Sequence, residues 1–212
     1  MRLDHVSYVA SHDQISDVVN RIGSQIGTAF VDGGIHPKFG TRNFTAPLLN
    51  GQYIEIVCPL DHPATDATPF GRAVRKKADE GGGWLTWVVS TSNITEIEIS
   101  LGREAAFGQR KKPDGSLLQW KQLGVLDLLE DPSQPFYVEW ISNSHPSTDG
   151  SAHAKLIEIV IESSQHPDLK LLGDIQNKFI KYIHVTGKKI SPSSQGIKEV
   201  LFEHNKNMVK ID

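Results

Sequence analysis

The chain repeats itself, and that repeat constrains its fold more than any other feature. Near the start, Asp4-His5-Val6-Ser7-Tyr8-Val9-Ala10-Ser11 and Gly51-Gln52-Tyr53-Ile54-Glu55-Ile56-Val57 read as strands. Their echoes are Gly83-Trp84-Leu85-Thr86-Trp87-Val88-Val89-Ser90 and Pro135-Phe136-Tyr137-Val138-Glu139-Trp140-Ile141. His5 and Glu55 are 50 residues apart, and Trp84 and Glu139 are 55 apart. Two copies with similar internal spacing predict duplicated supersecondary structure, because each copy alone leaves a sheet face uncovered that its sibling can bury. A cleft shared by the copies is the expected ligand site.

Between those strands the pattern fills in as βαβββ. Residues 3–10 alternate, with Val6 and Tyr8 on one face and Leu3, His5, Ser7 and Val9 on the other. Ser11-His12-Asp13-Gln14 has capping-box spacing, and Ile15, Val18, Val19, Ile22 and Ile26 form one apolar helical stripe. Strands are expected at about 28–32, 40–48 and 52–58, separated by Asp32-Gly33-Gly34 and Asn50-Gly51. Thr68-Pro69 starts a linking helix over 68–80, which Gly81-Gly82-Gly83 ends. The triplet follows a helix and precedes a strand, the reverse of a phosphate loop.

The second unit, 80–142, repeats the order: strand 84–90, a helix near 93–101, strands near 105–112 and 117–125 around Pro113-Asp114-Gly115, and strand 135–142. Residues 143–151 read as a linker. A third, shorter unit spans 152–212: strand 156–161, a brief helix over 167–172, strand 179–186, and a hairpin of 197–204 with 208–211. Its counterpart of Glu55 and Glu139 is Lys210, so this copy is expected to have lost any site. The fold class is α+β: two βαβββ modules (1–60 and 80–142) paired into a half-open barrel cleft, plus a third degenerate module.

Composition narrows the partners. A chain of 212 residues, 38% of them hydrophobic, can bury an ordinary core. A net charge of −3 and a pI near 6.3 supply no basic field for phosphate backbones, which argues against nucleic acid. No apolar run reaches the roughly 18 residues of a membrane span. No leader pattern precedes Asp4, so a cytoplasmic location is expected. Cys58 is the lone cysteine, which leaves no intramolecular disulfide and predicts a buried packing role. The expected partners are a small molecule and a second copy of the chain.

By strand parity His5 and Glu55 project into the cleft from the first copy, and Glu139 enters from the second. One imidazole and two carboxylates on rigid strands suit a divalent metal with open positions that polarises an oxygen substrate. Glu55 and Glu139 are also the candidate catalytic carboxylates. The fourth equivalent position is Trp84, which cannot ligate and is read as a pocket wall. Bland readings stand beside these: His5 as a buried strand-end histidine, and the glutamates as partners of Arg42, Arg110 or Lys121. His36, a loop histidine beside proline, is read as structural. By parity Trp87 belongs to the helix-covered face.

The whole chain resembles the glyoxalase-like branch of the vicinal oxygen chelate superfamily. The resemblance is carried by Leu3-Asp4-His5-Val6, by His36-Pro37-Lys38-Phe39-Gly40-Thr41-Arg42-Asn43-Phe44, by Asn50-Gly51-Gln52-Tyr53-Ile54-Glu55 and by Gly81-Gly82-Gly83-Trp84-Leu85. It implies a bacterial protein whose metal ligands come from the first and last strands of each module, here His5, Glu55 and Glu139. The ion implied is one of Zn, Ni, Fe, Mn or Mg. It implies a small-molecule enzyme of lyase, isomerase or oxygenase type, with Trp84, Asn43 and Trp120 as substrate contacts. The alternative is a metal-free protein that sequesters an aromatic or amphipathic compound between Trp84, Trp120 and the barrel wall. A structural or interaction role is the third reading.

Overall fold

The computed structural model describes residues 1–164, 172, 174–184 and 195–212. The first module is β1 (Arg2–Val9), α1 (Ile15–Ile26), β2 (Val31–His36), β3 (Thr41–Pro47) and β4 (Tyr53–Pro59). Two helices follow, α2 (Pro63–Ala67) and α3 (Pro69–Asp79). The Thr68 hydroxyl accepts the Gly71 N–H at 3.2 Å, the predicted cap. The second module is β5 (Gly83–Ser90), α4 (Thr95–Leu101), β6 (Ala106–Lys111), β7 (Leu117–Leu123), α5 (Val125–Glu130) and β8 (Phe136–Trp140). The α5 turn is the one element of that module absent from the sequence reading.

The eight strands form one sheet in the order β2-β3-β4-β1-β5-β8-β7-β6, with the modules meeting at the antiparallel β1–β5 seam. The two free edges come together. Gly33-Gly34 lies inside β2, at a register shift, rather than ending a strand before it as expected. Gly34 has φ +97°, and a Cβ there would stand 2.6 Å from the Lys111 carbonyl oxygen on β6. The Arg110 guanidinium on β6 donates to the Gly33 carbonyl. The sheet is thereby nearly closed into a barrel.

Burial divides along the two faces. On the outer face, Val6, Tyr8, Ile54 and Ile56 pack beneath Ile22 and Ile26 of α1. Each fully buried aliphatic side chain there contributes about 1.5–3 kcal/mol by leaving water. Cys58 is buried among them. On the inner face, Val9, Val57, Leu85, Val88, Phe136 and Val138 pack with Phe70 and Val74 of α3 and Leu128 of α5. The helix α1 begins at Ile15 without the expected side-chain cap; the Ser11 carbonyl instead accepts the Gln14 N–H at 3.2 Å.

The remaining residues form β9 (Ala154–Ser163), α6 (Asp174–Phe179), β10 (Ile180–His184), β11 (Gly196–His204) and β12 (Asn207–Ile211). The expected helix at 167–172 lies outside the described residues except for Leu172. Among the described elements the βαβββ order is kept, but the pairing differs. The first strand of each barrel module is parallel to its last, whereas β9 lies between β10 and β11 in a sheet of order β10-β9-β11-β12. Lys210 therefore sits on an edge strand and matches no site position. Leu156, Ile159, Val200 and Phe202 of this sheet cover the outer face of the barrel beside α1. No helix among the described residues is long and apolar enough to cross a membrane.

Candidate functional site

The inner face holds a narrow pocket, partly open to solvent, lined by polar and aromatic residues of both modules. His5 from β1 and Tyr53 and Glu55 from β4 line it as strand parity required, and Asn43 from β3 lines it beside them. So do Trp120 of β7 and Phe136, Val138 and Trp140 of β8. Trp120 fits because β6 carries Gly108 beneath it: a Cβ there would stand 2.4 Å from the indole.

Glu55 is buried and held at both oxygens. Oε2 accepts from Ser7 Oγ at 2.6 Å and Oε1 from Asn43 Nδ2 at 2.7 Å. Burial pushes its carboxyl up, but the neighbouring His5 and His36 rings and those two donors outweigh burial and hold it below the ordinary glutamate value.

His5 is stacked on Tyr53 with ring centroids 4.3 Å apart, and its Nδ1 lies 3.0 Å from Asp4 Oδ2. Neighbours on a regular strand face opposite ways. Here β1 is bulged: Leu3 pairs with Val89 and His5 with Val88, so Asp4 is the extra residue and joins His5 on the inner side. The same bulge leaves Leu3 in the outer core with Val6 and Tyr8, contrary to the expected alternation.

Asp4 is fully buried. Its carboxylate also accepts from His145 Nε2 at 3.2 Å and Trp140 Nε1 at 3.2 Å, and pairs with Arg2 at 3.0 Å. Burial pushes that carboxyl up, but the bonds from His145 and His5 prevail and hold it far below the usual carboxylate range. With Asp4 ionised, a neutral His5 ring donates from Nδ1 and has Nε2 as its acceptor.

Three residues outside the sequence-predicted set, Arg110, His36 and Gln122, complete the polar lining. Arg110 is buried, and burial lowers it from its ordinary value against the pull of Tyr53, Glu55, Asp149 and Asp32 without discharging it. His36, read from sequence as structural, is buried in the cavity wall with Nδ1 2.9 Å from Thr41 Oγ1. Burial pushes its imidazole down to about 4 against the pull of Glu55, so it is neutral near pH 7. Alternation along β6 was the available signal for Arg110, since Gly108 and Arg110 share the inward face.

Trp84 and Glu139 are not in this cavity. A second bulge explains Trp84: Ser7 pairs with Thr86 and Tyr8 with Trp84, so Leu85 is skipped and the alternation flips. Trp84 thus joins Trp87 in the outer core, edge-on to Tyr8, with its indole N–H donating to the Ile211 carbonyl at 2.9 Å. Glu139 fails by register. His5 pairs with Tyr53 in the first module and Val88 with Phe136 in the second, so the counterparts of His5 and Glu55 are Val88 and Val138. Val138 lines the cavity; Glu139 is one residue on, facing outward across from Lys121.

Comparison with known proteins places this geometry in a family. A model of the glyoxalase-like domain matches residues 3–172. The chain belongs to that family, a branch of the vicinal oxygen chelate superfamily. Among solved structures, a hypothetical protein from Staphylococcus aureus is 14% identical with a TM-score of 0.56, over 100% of this chain and 85% of that one. A methylmalonyl-CoA epimerase from Mycobacterium tuberculosis is 15% identical with a TM-score of 0.44, over 65% of this chain and 87% of that one. No curated protein matches the chain.

A chelate drawing one ligand from the first and last strand of each module meets His5 and Glu55 in one half and Val88 and Val138 in the other. Valine offers no donor, both Glu55 oxygens are taken, and the Arg110 cation shares the cavity. Among the described residues no three His, Cys, Asp or Glu side chains are grouped to hold an ion. The donor set does not fit such a chelate.

Proposed function

We propose that the cleft binds a small organic anion with a flat or apolar group and moves a proton on it, as an isomerase or lyase does. Arg110 holds the anionic end, because a buried guanidinium is a fixed donor array for a carboxylate. Trp120, Phe136 and Trp140 take the flat group. His5 Nε2 removes the proton from a carbon beside a carbonyl, and the C–H electron pair moves onto the carbonyl oxygen as an enolate. Return of the proton to carbon completes an isomerisation. Glu55 stabilises the imidazolium so formed rather than acting as the base, since both of its oxygens are engaged.

The observation that carries this reading is the Asp4–His5 pair. A strand bulge and a buried ionised aspartate orient one imidazole toward a cavity, an arrangement that costs stability and suits a proton-transfer group.

The test is deuterium exchange in heavy water, followed by NMR, with a panel of 2-oxo and 3-oxo carboxylates. Exchange next to the carbonyl is expected for the parent and about 10²–10⁴-fold less for His5→Gln. A second reading, sequestration without chemistry, is favoured by the anchored Glu55 and the aromatic walls. Tight binding of a panel member with no exchange in the parent establishes that reading and overturns the first.

A further inference from the structure

A second, roomier pocket, partly open to solvent, adjoins the first, and Phe39, Phe70 and Gln122 line both. Its remaining walls are chiefly apolar, with Ala106, Val125 and Leu126 among them. Of the charges at its rim, Lys38 Nζ donates to the Phe107 carbonyl at 2.9 Å and Arg103 pairs with Asp127, while the Glu104 carboxylate is exposed to solvent. Gln122 stands at the junction. Its Oε1 accepts the Trp120 indole N–H at 2.8 Å, and its Nε2 donates to no protein group among the described residues. An amide donor left free between a polar cavity and an apolar one suits a ligand oxygen where a polar head meets a hydrocarbon tail.

We infer that the second cavity holds the tail of the molecule whose anionic head Arg110 binds, so that the substrate class is an amphipathic carboxylate rather than a compact acid. This rests on the head reading proposed above. A tail entering such a cavity leaves water one methylene at a time, and about 0.8 kcal/mol per methylene corresponds to about fourfold in affinity.

The experiment is calorimetric titration of the purified chain with straight-chain carboxylates from butanoate to decanoate. Affinity is expected to rise about fourfold per methylene until the cavity is filled. Ala106→Trp and Leu126→Trp fill the second cavity from exposed positions, so each should flatten that rise and leave butanoate binding unchanged. Arg110→Met and Arg110→Lys should weaken every member by one common factor. Butanoate binding that depends on Arg110 without any length dependence overturns the tail site and leaves the head reading standing. So does a length dependence that survives in both tryptophan variants. A length dependence lost in those variants but indifferent to Arg110 supports the apolar site and overturns the head. If no member of the series binds, both fall.

Discussion

Across the β1–β5 seam His5 faces Val88, and where the last strand of the first module carries Glu55 that of the second carries Val138. The first half of the cleft thus supplies the acid–base groups His5, His36 and Glu55, with Asp4 behind them. The second supplies Trp120, Phe136, Val138 and Trp140, with Arg110 as its one cation. Duplication fixes where side chains can project, and each half fills those positions independently. A symmetric cleft offers a ligand two equivalent orientations; this one sets acid–base groups on one side against aromatic rings and a single guanidinium on the other. That difference directs the functional reading away from a four-strand chelate and toward orientation of an asymmetric small molecule.

The largest expected effect removes the device that gives the first half its chemistry. Asp4→Ala takes away a buried anion while His5, His145 and Trp140 keep their donors pointed at the vacancy. Breaking a buried charge cluster from one side costs about 3–5 kcal/mol, so a large fall in denaturant midpoint is expected with little change in slope. Asp4→Asn should retain most of that stability yet lose proton exchange, because an amide no longer fixes the His5 tautomer. Wild-type exchange in Asp4→Asn would show that the two halves differ without the bulge mattering to chemistry.

That bulge also marks where sequence stops being legible. In the first module β1, β3 and β4 lie where the sequence placed strands while β2 runs on through Gly33-Gly34, and Tyr53, Glu55 and Val57 came out on the predicted face because β4 has no irregularity. The extra residues at Asp4 and Leu85 carry no local signature, being set by how two strands distant in sequence meet. Each reverses parity beyond it, which moved Leu3 and Trp84 to the outer core. Glu139 misled for a simpler reason: Tyr-Val-Glu imitates Tyr-Ile-Glu, and only the pairing of β5 with β8 shows the imitation to be one residue out of register. The third segment repeats the element order, but order does not specify which strands pair. Arg110 and His36 needed the closed barrel to bring β2 and β6 to one cavity.

A smaller effect sharpens the comparison by erasing it. Val88→His with Val138→Glu places donors at the positions that mirror His5 and Glu55. Without metal, a carboxyl in that apolar wall should cost about 1–3 kcal/mol. With Ni²⁺ or Zn²⁺ at a hundred times its dissociation constant, binding to the folded state should return about 2.7 kcal/mol. Thermal melts of parent and double variant, with and without ion, read both numbers. A parent that gains as much from the ion as the variant does would mean that its own half-site already ligates, and the contrast between the halves would then be one of degree.

The smallest effect separates the two faces of the barrel rather than the two halves of the cleft. Trp84 donates to the Ile211 carbonyl on the outer side, where it meets Tyr8 and Phe202 and ties the last strand of the chain to β5. Trp84→Phe keeps an aromatic ring in that space but removes the N–H and part of the indole, so the expected loss is about 1 kcal/mol for the hydrogen bond plus the packing of the lost ring atoms. Carboxylate affinity and proton exchange should not change, because one sheet thickness lies between that indole and the cavity. Trp120→Phe is the matched control on the inner face: it also removes one indole N–H, the donor that orients Gln122, and it should weaken ligand binding. Calorimetric titration of both variants beside their melting curves makes the comparison. Equal losses of affinity in the two would mean that the skipped residue at Leu85 does not set which face an indole serves.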